Sequence, residues 1–188
     1  MHHGNGTQQI FEDDQSVLYV STHQFPCYPG TGAVTEVGFG NGRGRTVNVP
    51  IEPGAGDDDY ADVLARVVVP ILTAFAADLT ILSVGYDAHV QDPLAQMQVT
   101  TDGYRAMLAT LRATADATSG GRLVVVTEGG YDLPALGACL DATVEVLAAP
   151  ATTPATPPTP RASGPGIRGR EAAEAALAVQ RPFWPLPI

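Results

Sequence analysis

Lysine is missing altogether from this 188-residue chain: its ten basic side chains are all arginine, against twenty acidic ones, for a net charge of −10. A surface so poor in positive charge has little with which to neutralise phosphates, which speaks against binding driven by nucleic-acid backbones or anionic membranes. Four arginines and only two glutamates lie after Ala149, so the negative charge sits in the preceding body and favours cationic substrates or peptides. Cysteine is scarce too. Cys27 and Cys139 are too distant to form a metal-binding pair and too few for a disulfide framework, as expected for a reducing cytoplasm. The first residues show no basic stretch followed by an apolar one, so no secretory signal is expected. Long apolar runs are also lacking. The most hydrophobic window, residues 67–77, contains Pro70 and Thr73 and falls short of the roughly 20 residues of a spanning helix; it reads as a buried helix.

Charged residues make up only 16% of the chain and hydrophobic ones 45%, enough to bury the core of one globular domain. Residues 16–21 (Ser-Val-Leu-Tyr-Val-Ser), 46–49, 79–84 and 123–126 are short, apolar and rich in β-branched side chains, as expected for buried strands. Residues 25–44 carry Pro26, Pro29 and a run of glycines that cannot sustain a helix or an interior strand, and a loop of that length is more often functional than decorative. Tyr60, Val63, Leu64, Val67, Val68 and Leu72 recur at helical spacing behind the acidic start Asp57-Asp58-Asp59, and Pro70 should kink or divide that helix. Further helices are expected over 101–117, stopped by Gly120-Gly121, and over 134–147. Continuously apolar strands alternating with helices indicate an α/β fold: a parallel sheet with helices on both faces. Residues 1–149 form its body. The Pro-, Ala-, Thr- and Gly-rich stretch 150–170 reads as a flexible linker, and 171–188 as a short docking helix with an apolar tail, Phe183, Trp184 and Leu186, or else as a disordered end.

Ligands of open parallel sheets bind beyond the carboxyl ends of the strands. That edge collects residues distant in sequence: Asp87 follows one strand, Tyr131 another, and Ser21 to His23 close a third. By itself His2-His3-Gly4 is a metal ligand with its neighbour, a polar terminus or a remnant of an affinity tag. Asp87 alone is a ligand or a satisfied loop carboxylate, and Tyr131 alone a catalytic phenol or a turn aromatic.

Taken together, the motifs are far more specific. His2-His3-Gly4-Asn5-Gly6-Thr7-Gln8, Ser21-Thr22-His23, Tyr28-Pro29-Gly30-Thr31-Gly32, Gly85-Tyr86-Asp87-Ala88-His89 with Asp92-Pro93, and Glu128-Gly129-Gly130-Tyr131 resemble, in order and register, the zinc-dependent deacetylases of the histone deacetylase superfamily, including the bacterial acetoin-utilisation and acetylpolyamine amidohydrolase types. The resemblance runs from His2 to about Leu147 and implies an arginase/deacetylase-like fold. It implies zinc-dependent hydrolysis of a linear acetyl amide, with acetyl-lysine, an acetylpolyamine or a related acetylated amine as substrate. His2 and Asp87 match two of three zinc ligands, and Tyr131 matches the tyrosine that donates to the oxyanion. Ser21, Thr22 and the His2 carbonyl match a site for a monovalent cation such as K⁺. Tyr28, Leu94, Gly129 and Gly130 match the walls of the substrate tunnel, and His89 is structural. Such chemistry needs a Lewis acid, an activated water and an oxyanion donor, because an amide is a poor electrophile.

Where the family has Asp-x-His-His-Gly, the aspartate position falls before Met1, as do the histidine pair that activates the water and the first strands. The N-terminal part of the fold is therefore expected to be missing, and this polypeptide alone to be nearly inactive, since loss of a general base costs about 10²- to 10⁴-fold in rate. The alternatives are a truncated relic or binding module that keeps the tunnel without chemistry and, last, a binuclear manganese hydrolase of related architecture, for which only Asp87 has suitable flanks. Met1 stands where the family usually has an apolar residue such as valine, so a GTG codon read as a start accounts for it. Sequencing upstream is expected to show an open frame with an aspartate codon immediately before Met1; an in-frame stop there rules this out.

Overall fold

The computed structural model describes residues 1–150 and 166–186. Its elements are α1 (Asn5–Phe11), β1 (Tyr19–Gln24), β2 (Thr46–Ile51), α2 (Asp57–Val63), α3 (Val69–Phe75), β3 (Thr80–Val84), α4 (Thr101–Ser119), β4 (Leu123–Thr127), α5 (Leu133–Ala148) and α6 (Ile167–Gln180). β1 pairs in parallel with β2, from Tyr19 opposite Thr46 to Gln24 opposite Ile51. β3 pairs in parallel with β4, from Thr80 opposite Leu123 to Val84 opposite Thr127. The expected single sheet is thus present as two parallel pairs. Met1 stands between them: its carbonyl accepts from Gln24 N at 3.0 Å, and its amino nitrogen lies 2.7 Å from Asp87, just beyond β3.

The two pairs differ in how they are covered. Val47, Val49 and Ile51 of β2 are fully buried in the core with Val63, Val67 and Ile71. On β3 and β4, Ile81 faces Val124 and Ser83 faces Val126 across the register, and Ile81, Val124 and Val126 are 65%, 47% and 44% exposed. Helices therefore cover one side of this pair and leave an apolar strip on the other, which a parallel sheet ordinarily buries.

Local chemistry sets the boundaries. The Ser16 N–H and hydroxyl both donate to Asp14 Oδ1 at 2.7 Å, a local turn that holds Ser16 out of the ladder. β1 consequently starts at Tyr19 rather than Ser16. Pro70 has no N–H to give, and the helix approaches it through one widened π turn, Leu64–Val68, before continuing as α3. The Thr100 hydroxyl caps α4 by accepting from Gly103 N, and Gly120 ends it in the left-handed region. The Asp132 carboxylate caps α5 by accepting from Ala135 N.

The C-terminal segment corrects the sequence reading. α6 begins at Ile167, inside the stretch read as linker; residues 151–165 of that linker lie outside the described residues. Contact with Asp59 of α2 fixes the early start. One Asp59 oxygen accepts from Gly169 N at 2.7 Å and the other from Gly56 N at 2.9 Å. The helices cross so closely that a Cβ on Gly169 would lie 2.2 Å from the Asp59 carbonyl oxygen. Ala173 and Ala176 continue the contact fully buried. Beyond the helix, Trp184 is buried, its indole N–H donating to Gly44 O at 2.9 Å beneath the Arg45 guanidinium, 4.9 Å from the ring centre.

A methyl group at Gly169 therefore meets main chain that cannot yield. Gly169→Ala is expected to destabilise the chain by about 3 kcal/mol in denaturant titrations. The emission of Trp184, the sole tryptophan, is expected to shift red as α6 lifts; unchanged stability and emission would show that the crossing is looser than described.

Candidate metal centre and substrate site

Asp87 stands at the focus of the strand ends. β3 ends at Val84, and Gly85 leads into a single 3-10 turn, Tyr86–Ala88, that turns the Asp87 carboxylate inward until it is 1% exposed. Two phenols brace this turn. The Tyr104 hydroxyl donates to Gly85 O at 3.0 Å and accepts from Ala88 N at 3.2 Å, while the Tyr86 hydroxyl meets Thr143 Oγ1 of α5 at 2.7 Å. Burial raises the affinity of both phenols for their protons, so they remain neutral hydrogen-bonding groups. Sequence reading assigned Tyr104 no such role, because it looks like one more apolar position of α4.

The carboxylate has two partners. Oδ1 receives the Met1 amino nitrogen at 2.7 Å, and Oδ2 lies 2.9 Å from His2 Nδ1. Gly129, following β4, makes this possible: a Cβ there would lie 2.7 Å from Asp87 Oδ2. The loops after β3 and β4 are further joined by Tyr86 N donating to Gly129 O at 2.8 Å and Glu128 N donating to Val84 O at 2.9 Å. His2 is about one-third exposed and meets the edge of the Tyr28 ring, centroids 6.0 Å apart. A histidine nitrogen and an aspartate oxygen are the donor types zinc takes, and here the two converge. The described residues contain no cluster of three His, Cys, Asp or Glu side chains placed to hold a metal ion.

The other residues picked out by the motifs lie on the loops around this turn and in β1. Tyr28, Leu94 and Tyr131 are 78%, 59% and 54% exposed. The Tyr131 N–H donates to Asp92 Oδ2 at 2.7 Å, and Gly130 before it has φ +141°, a conformation reserved for glycine. His89 is engaged on both nitrogens, accepting from Gln91 N and meeting the Thr101 hydroxyl. The Ser21 hydroxyl is taken up by His23 Nδ1 at 3.0 Å; Thr22 lies beside it in β1, opposite Val49. A polar cleft of about 330 Å³, lined by Asn5, Gln8, Glu12, Thr31 and Phe39 among others, lies against α1 and includes none of these residues.

Beneath the Tyr28 loop runs a buried polar network. His3 Nδ1 meets Thr31 Oγ1 at 2.8 Å and its Nε2 meets Gln8 Oε1 at 2.9 Å. Gln8 donates to Glu36 at 2.6 Å and accepts from Asn48 at 2.8 Å. Glu36 in turn accepts from Gly32 N and Ala33 N. Burial pushes its carboxyl up, but those three donors outweigh burial and hold it below the ordinary glutamate value. His23 Nε2 donates to Gly32 O at 3.0 Å, which leaves Nδ1 as the acceptor for Ser21. Burial, reinforced by the adjacent His3, pushes His23 down to about 4. His2 and the loop bearing Tyr28 thus rest on one floor, since His3 follows His2 directly. Single polar residues scattered over 45 positions give no pattern by which sequence alone could assemble it.

Comparison with known proteins follows the same lines. The Histone deacetylase domain family matches residues 1–147. A probable deacetylase of Archaeoglobus fulgidus is 45% identical over 132 residues, 70% of this chain and 37% of that protein. A histone deacetylase-like amidohydrolase of Pseudomonas aeruginosa is 44% identical over 148 residues, 78% and 39% respectively. The crystal structure of the HDA15 HD domain superposes with a TM-score of 0.83 at 41% identity, covering 98% of this chain and 49% of that one. The chain thus spans 37% and 39% of the length of these two curated relatives.

His23 supplies a test of the floor. Above its ordinary value of 6.5 neither folded nor unfolded chain binds the proton; between 6.5 and about 4 the unfolded chain takes it up and the folded chain refuses it. Stability is therefore expected to fall as pH drops through that window, by up to about 3 kcal/mol. Urea titrations at stepped pH should show the slope flattened in His23→Gln; an equal slope in both proteins places the acid sensitivity elsewhere.

Proposed function

The chain belongs to the histone deacetylase family, and from that membership we propose that it carries the metal- and oxyanion-contacting part of a zinc amidohydrolase that removes acetyl groups from acetyl-lysine, acetylpolyamines or related acetylated amines. The observation that carries this reading is the convergence of His2 Nδ1 and Asp87 Oδ2 at 2.9 Å beyond the ends of parallel strands, with Tyr131 on the adjoining loop. His2 and Asp87 are the residues that would hold zinc. Bound there, zinc supplies Lewis-acid polarisation of the acetyl carbonyl and an activated water.

The other steps fall to the chain's own side chains. Tyr131 offers a hydroxyl to the oxygen that gains charge when the carbonyl becomes tetrahedral, a preorganised donor of the kind that lowers such barriers. Tyr28 and Leu94 flank the path of the acyl-amine chain. Gly129 leaves room for the Asp87 carboxylate itself, and Gly130 gives the turn before Tyr131 its positive φ. The acidic body, free of lysine, suits an amine product that leaves as a cation. No helix among the described residues is long and apolar enough to cross a membrane, and we place the chemistry in the cytoplasm. A binding module without chemistry is the competing reading, favoured by the absence of a third metal-binding side chain among the described residues.

Zinc stoichiometry and hydrolysis of a fluorogenic acetyl-lysine peptide separate the two, measured on this chain and on the longest reading frame that contains it. Expected are weak zinc binding by the chain and hydrolysis by the longer protein that is lost in Asp87→Ala and reduced about 10²- to 10³-fold in Tyr131→Phe. Hydrolysis by neither protein would favour the module.

A further inference from the structure

Asp92 has no part in the chemistry described so far, yet it is a carboxylate only 7% exposed with which no cation pairs among the described residues. Its two oxygens are used separately. Oδ1 accepts from Leu94 N at 2.9 Å, within its own turn, and Oδ2 accepts from Tyr131 N at 2.7 Å, 39 positions away. Pro93 lies between Asp92 and Leu94 and has no N–H, so the turn's donor is Leu94. An asparagine offers only one acceptor oxygen, and its amide nitrogen would confront one of the two N–H groups. Only the carboxylate satisfies both, which explains why so costly a group is buried here.

The Tyr131 segment needs such a fixed point. It follows Gly129 and Gly130, which restrain the backbone least, and its neighbours hold it only before and after: Gly129 through Tyr86 and Asp132 as the cap of α5. Building on the deacetylase reading, we propose that Asp92 is a positioning residue that pins the main chain of Tyr131 to the turn carrying Leu94. The oxyanion donor and one wall of the substrate path thereby move as a single unit. Asp92 touches neither the substrate nor the metal ligands; it acts through Tyr131.

The test compares the full chain with Asp92→Asn and Asp92→Ala by residue-resolved amide exchange. The tether requires exchange at Tyr131 to speed up by about tenfold or more in Asp92→Ala and by less in Asp92→Asn, with circular dichroism and Trp184 emission unchanged. In the zinc-loaded protein that shows hydrolysis, this chain or the longest frame containing it, kcat should fall about 10²-fold in Asp92→Ala, with partial recovery in Asp92→Asn. KM and zinc affinity should stay within about twofold, because uniform binding and the metal ligands are untouched. Unchanged exchange at Tyr131 overturns the proposal, as does a loss confined to zinc affinity or KM with kcat intact. Hydrolysis that survives Asp87→Ala, or is absent from both proteins, overturns the deacetylase reading instead, and the exchange measurement then decides the tether by itself.

Discussion

A carboxylate that is 1% exposed cannot stand alone, and the burial of Asp87 dictates most of its surroundings. An unpaired charge in the interior costs several kcal/mol, so a positive or proton-donating partner must lie close to each oxygen. The structure meets this from the first two residues, with the Met1 nitrogen on one oxygen and His2 on the other. Everything nearby follows from admitting those partners. Gly85 and Gly129 are small because the carboxylate occupies the space of their missing side chains. Tyr104 is a buried phenol because the turn bearing Asp87 exposes main-chain groups, Gly85 O and Ala88 N, that need a partner where water cannot reach.

Two polar anchors carry this arrangement outward, and in both a carboxylate holds main-chain N–H groups. Glu36 takes the N–H groups of Gly32 and Ala33, and Asp92 takes those of Leu94 and Tyr131. In each case one carboxylate fixes a loop too rich in glycine or proline to fix itself. Loops of this kind position functional groups well only if such anchors restore the rigidity their backbone lacks. Leu94 and Tyr131 can therefore stand exposed while their main-chain N–H groups are held by Asp92.

Much of this was legible in the sequence, and what was not has identifiable physical causes. β3, β4, α4 and α5 were readable because their periodicity and caps are local: Thr100, Gly120 and Asp132 act within one turn of the helix they bound. The meeting of His2 with Asp87 was readable through motifs in register. α1 was not, since Asn5-Gly6-Thr7 carries no helical pattern, and its first residues follow His3, whose side chain is tied to Gln8. The onset of α6 was hidden because Gly166 and Gly169 look like linker glycines until Asp59 is brought against them. The roles of Glu36 and Asp92 depend on partners that only folding brings within reach, in the case of Asp92 across 39 positions.

The contrast between the two strand pairs bears on the same point. β2 is sealed by α6 and the core, while β3 and β4 keep Ile81, Val124 and Val126 in solvent, although their sequence is as apolar as that of any buried strand. Sequence reports what a strand is suited to, and burial on both faces is what Leu79-Thr80-Ile81-Leu82-Ser83-Val84 is suited to. In the HDA15 domain, of which this chain covers 49%, as much polypeptide again belongs to the same domain. Here the strip is apolar by composition and open among the described residues. The two strand pairs are joined at Met1 rather than by a shared ladder. Around Asp87 the same holds: His2 lies against its carboxylate, and the turns beside it are tied by Tyr104 and Asp92 rather than by a continuous sheet.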